Sequence, residues 1–300
     1  MWDGRRYYSL DSFLKERFGE KLYKLSLNGG MTCPNRDGTL STEGCIFCSA
    51  GGSGEFSVPC GEIERAKQFV GNKFAGSRYI AYFQAYTNTY ADVSYLRQLF
   101  YPVLMREDIA VLSIATRPDC LEREKLALME EMAKIKPVWV ELGLQTMHER
   151  TAKLINRGFP TECYAQAVRN LKAAGAEVIT HIILGLPGES REEMLATAAY
   201  VGTSGADGIK IQLLHVLKGT KLAEMYERDK FRVLEEQAYV SLTADVIAIL
   251  PPHMVIHRLT GDGDKHLLIA PKWSGDKRHI LNAINHELKV RNIVQGCALC

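Results

Sequence analysis

Short apolar segments alternate along the chain with longer segments in which apolar positions recur at helical spacing. The apolar segments predict six strands, at 22–27, 79–84, 109–115, 138–144, 177–184 and 208–214. The longer segments predict helices, at 62–74, 94–105, 121–134, 163–174, 191–202 and 233–250. Near-continuous apolar strands separated by amphipathic helices are typical of parallel strands in βαβ units. The pattern therefore predicts an α/β fold.

Six such units favour a partial (β/α)6 TIM-type barrel over a complete eight-fold barrel, with a doubly wound sheet as the alternative. In either fold, ligands bind at the carboxyl ends of the strands. The alternation ends at Pro251 and Pro252, and beyond them we expect one strand near 266–269 and a last helix near 277–291. The predicted division is an N-terminal segment at 1–20, the barrel at 21–250 and a C-terminal extension at 251–300.

Charge and composition narrow the functional class only modestly. The net charge is +2, so no overall electrostatic attraction to nucleic acid is indicated. No apolar run reaches the length of a membrane span, and the N-terminus lacks a signal core, so we expect a cytoplasmic protein with no membrane partner. Thiols stay reduced in that compartment, so clustered cysteines are expected to be metal ligands or catalytic groups rather than disulfides.

Three cysteines lie together directly after the first predicted strand. Cys33, Cys45 and Cys48 have the spacing C-x11-C-x2-C, within a stretch rich in glycine, proline and aspartate that predicts a wrapping loop. Three thiolates bind three of the four irons of a [4Fe–4S] cluster and leave one iron open to an external ligand. The alternative is a structural zinc site with Cys60 as the fourth ligand.

The segment 28–38, Asn-Gly-Gly-Met-Thr-Cys-Pro-Asn-Arg-Asp-Gly, and the long gap after Cys33 resemble the radical SAM enzymes. The resemblance is to the small bacterial members related to the radical SAM domain of Elongator's catalytic subunit. It covers most of the chain. It implies that the cluster reductively cleaves S-adenosylmethionine (SAM) to a 5′-deoxyadenosyl radical, which abstracts hydrogen from a substrate.

The same resemblance implies a set of SAM contacts at successive strand ends. The segment 82–90 lies where relatives carry a glycine-rich motif for the methionine amino group, although this chain lacks those glycines. Other matches are the fourth-strand motif at 141–146, an Arg-Gly pair at 157–158 whose arginine approaches the SAM carboxylate, the adenosine loop at 185–189 and the sixth-strand end at 214–220. The implied cofactor-binding residues are Phe47, Gln84, Tyr86, Glu141, Gln145, Arg157, His181, Leu186 and His215.

Each of these residues also has a purely structural interpretation. Glu141 fits a buried strand carboxylate with a neighbouring partner, and Arg157 fits a solvated helix charge. Phe47 fits core packing, while His181 replaces an acidic residue of many relatives. The histidines are therefore open to a structural as well as a functional role.

The substrate is predicted mainly from the resemblance, since Elongator-type relatives act on the wobble uridine of transfer RNA. We therefore expect tRNA, through its anticodon region, as a partner, with a one-electron donor such as flavodoxin or ferredoxin. The basic C-terminal segment adds Lys272, Lys277 and Arg278 as phosphate-binding candidates and Trp273 as a base-stacking candidate. A small-molecule substrate, a zinc-bound RNA-binding module and an iron–sulfur electron carrier are the alternatives. The pair Cys297 and Cys300 is expected to be a dispensable tail.

Overall fold

The computed structural model describes residues 2–52, 54–71, 76–261 and 263–299. The strands are β1 (Tyr23–Asn28), β2 (Val58–Pro59), β3 (Tyr79–Phe83), β4 (Ile109–Thr116), β5 (Val138–Gln145), β6 (Glu177–Leu184), β7 (Gly208–Leu213), β8 (Val216–Leu217), β9 (Val255–Arg258) and β10 (Leu268–Ala270). The helices are α1 (Leu10–Phe18), α2 (Ile63–Gly71), α3 (Val93–Leu104), α4 (Arg123–Ala133), α5 (Glu149–Leu154), α6 (Thr161–Ala173), α7 (Arg191–Thr203), α8 (Lys221–Glu227), α9 (Glu236–Ile249) and α10 (Lys277–Val290). None of these helices has the length and apolar character to cross a membrane.

An eight-stranded parallel sheet organises the fold. Its strand order is β2-β1-β3-β4-β5-β6-β7-β9, and every neighbouring pair is parallel. The six predicted strands form the centre of this sheet, each within one residue of its predicted ends. This agreement confirms the α/β fold with parallel strands, because strands buried on both faces are apolar throughout and easy to recognise.

Two of the differences from the sequence prediction concern β9 and α9. The strand β9 pairs with β7 and extends the main sheet beyond residue 250, where the predicted C-terminal extension begins. This strand was missed because it has only four residues and His257 and Arg258 interrupt its apolar pattern. The helix predicted from residue 233 begins at Glu236, because the preceding residues are extended.

The N-terminal helix α1, which the apolar pattern did not predict, packs over the amino ends of the strands. Its Leu14 and the following Leu22 share an apolar cluster with inward-facing strand residues Ile80, Val111, Trp139 and Ile179. Ser9 bridges to Ile256 of β9. The sheet interior is therefore apolar at its amino end, and the polar interior residues lie further along the strands.

Candidate functional site

A cavity of about 250 Å³ lies at the carboxyl ends of the parallel strands. All three cysteines of the predicted cluster motif line it, together with Arg36 and Arg117. Eight of the nine predicted SAM contacts also line it, namely Phe47, Gln84, Tyr86, Glu141, Gln145, Arg157, His181 and His215. The strand order thus brings together residues that are up to 182 positions apart in the chain, from Cys33 to His215.

Backbone and amide hydrogen bonds fold the cysteine loop into a compact turn. Gly44 has a φ of 73° and donates its N–H to the Asn35 carbonyl at 2.6 Å, which reverses the chain just before Cys45. The Asn35 amide donates to the Asn156 carbonyl at 2.6 Å, and its nitrogen lies 3.7 Å from Cys45 Sγ. The loop is therefore held against the segment that follows α5, by side chains as well as by its own backbone.

Positive charge surrounds the cysteine thiols. The Cys48 hydrogen bond is the main cause that lowers the pKa of Cys45 to about 7, and Arg117, Asn35 and Arg36 lower it further. The same pairing raises the pKa of Cys48, and burial adds to the effect. Because the thiolate is the form that binds metal, this environment favours metal ligation by Cys45.

The predicted zinc alternative needs Cys60 as a fourth ligand. Cys60 is not among the cavity-lining residues, and it packs instead against the main hydrophobic core. Within the described ranges, no three His, Cys, Asp or Glu side chains converge in a way that would hold a single metal ion. Three free thiols facing one cavity match the donor set of a [4Fe–4S] cluster that has one open iron.

Two cavity-lining residues adopt unusual backbone conformations. Tyr86 and Gln145 have φ values of 57° and 67°, a region that non-glycine residues enter rarely. A Cβ at Gly52 would overlap the Tyr86 ring, and one at Gly143 would lie 2.7 Å from the Gln145 amide nitrogen. These glycines therefore leave space for the side chains of Tyr86 and Gln145. Rare backbone conformations of this kind are common at ligand sites.

A ring of polar side chains crosses the interior of the sheet below the cysteine loop. It has one member from each of six strands, and we call it the polar layer: Lys24, Tyr82, Ser113, Glu141, His181 and Lys210. Glu141 is its centre and is 1% exposed. Its Oε1 accepts hydrogen bonds from Lys24 Nζ at 2.7 Å and Ser113 Oγ at 2.8 Å. Its Oε2 accepts from His181 Nε2 at 2.8 Å and from Lys210 Nζ.

The charges of the polar layer follow from these contacts. Burial opposes ionisation of Glu141, but Lys210, Lys24 and His181 hold its pKa well below the usual range. Burial and the nearby Lys210 lower the pKa of His181 to about 4, so its ring is neutral at pH 7. The sequence prediction named Glu141 and His181 but missed both lysines. The sequence did contain a signal for one of them, because Lys210 is a charged residue within the otherwise apolar strand β7.

Two predicted SAM contacts lie in unexpected surroundings. The Arg157 guanidinium is buried, and all three of its nitrogens donate to protein acceptors, including the carbonyls of Leu144, Thr146 and Phe159. To bind a SAM carboxylate, the Arg157 guanidinium would have to give up one of these hydrogen bonds. Leu186 does not line the cavity and belongs to a separate apolar cluster.

Arg117 was missed by the sequence prediction, although it directly follows β4 at the carboxyl edge. It lines the cavity, donates to the Arg157 carbonyl at 2.9 Å and forms an ion pair with Asp119. Its position places a guanidinium beside Cys45.

The chain is similar to several known proteins along nearly all of its length. It is 46% identical over 297 residues to the uncharacterized protein YtqA of Bacillus subtilis (strain 168), covering 97% of this chain and 92% of that protein. It is 32% identical over 155 residues to a tRNA uridine(34) acetyltransferase of Methanocaldococcus infernus, covering 50% of this chain but only 28% of that protein.

The fold is shared with a solved structure of the archaeal Methanocaldococcus infernus Elp3 with an N-terminal deletion. The TM-score is 0.68 at 18% identity, covering 91% of this chain and 64% of that one. Residues 206–290 match the family model described as Radical_SAM C-terminal domain, and residues 33–201 match the model described as Radical SAM superfamily. The chain therefore belongs to the radical SAM superfamily, whose enzymes use a [4Fe–4S] cluster and S-adenosylmethionine.

Proposed function

We propose that Cys33, Cys45 and Cys48 hold the [4Fe–4S] cluster and that the enzyme modifies the side chain of a wobble uridine in transfer RNA. The observation that carries the first part is the convergence of the three thiols on one cavity that continues inward to the polar layer. The bound cluster and SAM supply a 5′-deoxyadenosyl radical, which removes a hydrogen atom from the substrate.

Residues of this chain would bind and orient SAM and the substrate. Arg36 and Arg117 place positive charge beside the thiolates and stabilise them. Phe47, Tyr86 and Gln145 line the cavity wall around the cysteines and would position SAM. The polar layer lies deeper and offers hydrogen-bonding groups to the part of the substrate that enters the interior.

Similarity to the tRNA uridine(34) acetyltransferase supports the choice of substrate. The cavity rim adds a physical reason. A two-stranded sheet of β8 and β10 lies beside the cavity, since Leu217 lines it and pairs with Leu268. Lys218 and Lys265 are exposed on the segments that flank this sheet, as is Lys272. Cations at this rim would contact phosphates next to a base that has left its stack.

Trp273, the base-stacking candidate, has packing contacts. It is half-buried, donates its indole N–H to the Leu234 carbonyl at 3.2 Å and packs against the ring of Tyr239. These contacts favour a packing role for this residue, so the RNA proposal does not depend on it. Lys277 and Arg278 begin α10, which packs on α9.

Two measurements test this function. The anaerobic, reduced protein should release 5′-deoxyadenosine and methionine from SAM, and failure with every reductant would remove the radical assignment. Mass spectrometry of wobble-position nucleosides with and without the gene tests the substrate. Identical nucleosides under several growth conditions would favour a small-molecule substrate instead. Flavodoxin or ferredoxin remains the predicted electron donor.

The rim lysines supply a separate binding test. Changing Lys218 and Lys265 together to Glu should weaken the binding of anticodon stem-loop RNA and reduce its salt dependence, because phosphate contacts release counterions. The matched control is Lys21→Glu with Lys134→Glu, two exposed lysines that lie shortly before β1 and β5 and thus at the amino end of the sheet, opposite the cavity. Equal RNA affinity for both double variants would contradict the rim assignment.

A further inference from the structure

A buried lysine of the polar layer lies at the floor of the cavity. Lys210 is 2% exposed, yet it lines the same cavity as the three cysteines. Lys24 and Lys210 share one carboxylate, that of Glu141. His181 adds no negative charge, so the polar layer has two ammonium groups and one carboxylate. Arg258, the register partner of Lys210 on β9, also lines the cavity.

Glu141 has no remaining capacity for additional donors. Its two oxygens accept four hydrogen bonds, from Lys24, Ser113, His181 and Lys210. A carboxylate has about four lone-pair positions, so all are occupied. The charge of Lys210 is therefore only partly compensated by its protein neighbours.

The Lys210 ammonium has three N–H groups, and the described residues supply two acceptors. These are Glu141 and the Tyr82 hydroxyl, the latter at 3.1 Å. The third N–H is available on a residue that faces the cavity. Burial lowers the pKa of Lys210 well below its usual range, and Glu141 opposes this effect. An anion at the floor would likewise favour the ammonium form, since an opposite charge within about 4–6 Å stabilises a charged group.

We propose that Lys210, with Tyr82 beside it, forms a carboxylate-binding subsite at the cavity floor. The carboxylate belongs to the substrate. If the substrate is a wobble uridine, as proposed above, the group would be a carboxylate on its C5 side chain. The identity of the substrate rests on the proposed tRNA function. The subsite itself does not, because the position and partners of Lys210 are properties of the cavity.

Matched nucleosides test this subsite in the cluster-reconstituted, anaerobic and unreduced protein with SAM bound. The probes are 5-carboxymethyluridine and its isosteric neutral amide, 5-carbamoylmethyluridine, measured by calorimetry. We expect the acid to bind at least about tenfold more tightly, because hydrogen bonds between charged partners are stronger than those to neutral groups. The Lys210→Gln variant should lose this preference. The double variant Lys210→Gln, Glu141→Gln removes both charges and covers the case in which the single variant is unstable.

Three outcomes are distinguishable, with iron content and circular dichroism as checks on folding. Loss of the acid preference in the variants assigns the subsite to the substrate. Loss of SAM affinity, with the acid preference retained, would place Lys210 against SAM and overturn the proposal. Equal binding of acid and amide by the unaltered protein, with unchanged SAM affinity in the variants, overturns the proposal. Binding of unmodified anticodon stem-loop RNA is measured in parallel, so a failure of the RNA function is recognised separately.

Discussion

The cysteine loop and the polar layer line the same cavity but are built in opposite ways. The loop is a short segment, turned by Gly44 and tied by Asn35 to Asn156, and its cysteines are partly exposed. The polar layer takes one side chain from each of six strands; four of them are buried, and Lys24 and His181 are partly exposed. The loop therefore takes its turn from its own residues and needs one distant segment to hold it, whereas the layer exists only when the sheet is complete.

Because of this difference, we expect the loop to govern cluster binding and the polar layer to govern the stability of the fold. A change in the loop alters which metal group the protein can hold, since its thiols contribute little to the core. A change in the layer leaves a buried charge without its partner, which costs several kcal/mol. The two regions should therefore respond differently to mutation.

The largest effect is expected at the loop. Replacing Cys33, Cys45 or Cys48 by Ala should abolish the reconstituted [4Fe–4S] cluster, because each thiolate binds a different iron. Iron analysis and absorption near about 400 nm, typical of this cluster class, measure the loss. Cys60→Ala is the control and should keep the full iron content. A complete cluster in Cys45→Ala would refute the ligand assignment.

In the polar layer the largest effect is on folding. Glu141→Gln leaves Lys24 and Lys210 without their shared anion and should lower the free energy of unfolding by about 3–5 kcal/mol. Urea denaturation of the apo-protein measures this change. The control Glu130→Gln removes an exposed partner of Lys134 and should cost less than about 1 kcal/mol. Similar losses in both variants would mean that the layer does not depend on its charge.

Protonation of His181 should make the layer sensitive to acid. The folded pKa is about 4, against an ordinary value of 6.5, so the unfolded chain binds this proton first as the pH falls. The free energy of unfolding should therefore decrease from about pH 6.5 to about pH 4, by at most about 3 kcal/mol. His181→Gln should show a shallower pH dependence over this window. An unchanged slope would show that the ring is not held neutral.

The smallest effect is expected at the turn that precedes Cys45 in the cysteine loop. Gly44→Ala places a Cβ at a positive φ and 3.0 Å from Arg36 Nε, so the turn before Cys45 must shift. We expect a destabilisation of about 1–2 kcal/mol and partial loss of iron. The control Gly61→Ala has no atom within 4 Å of the added Cβ and no positive φ. Equal iron content in both variants would show that the turn tolerates this change.

The sequence determined the elements that depend on local or periodic patterns. The six apolar strands were placed within one residue, because a strand buried on both faces has few polar positions. The cysteine motif was recognised because its three cysteines lie within 16 residues of one another. The pair Cys297 and Cys300 cannot be compared in the same way, since Cys300 lies outside the described residues.

Tertiary structure alone decided what the isolated polar positions do. Lys24 and Lys210 are 186 residues apart, and only the sheet order brings both to Glu141. The sequence pointed to Arg157 and not to Arg117, yet the structure bonds the Arg157 guanidinium to backbone carbonyls and places that of Arg117 beside Cys45. Strand register and side-chain partners depend on contacts between segments that are far apart in the chain. The periodicity of apolar residues within one segment does not show which other segment it will contact.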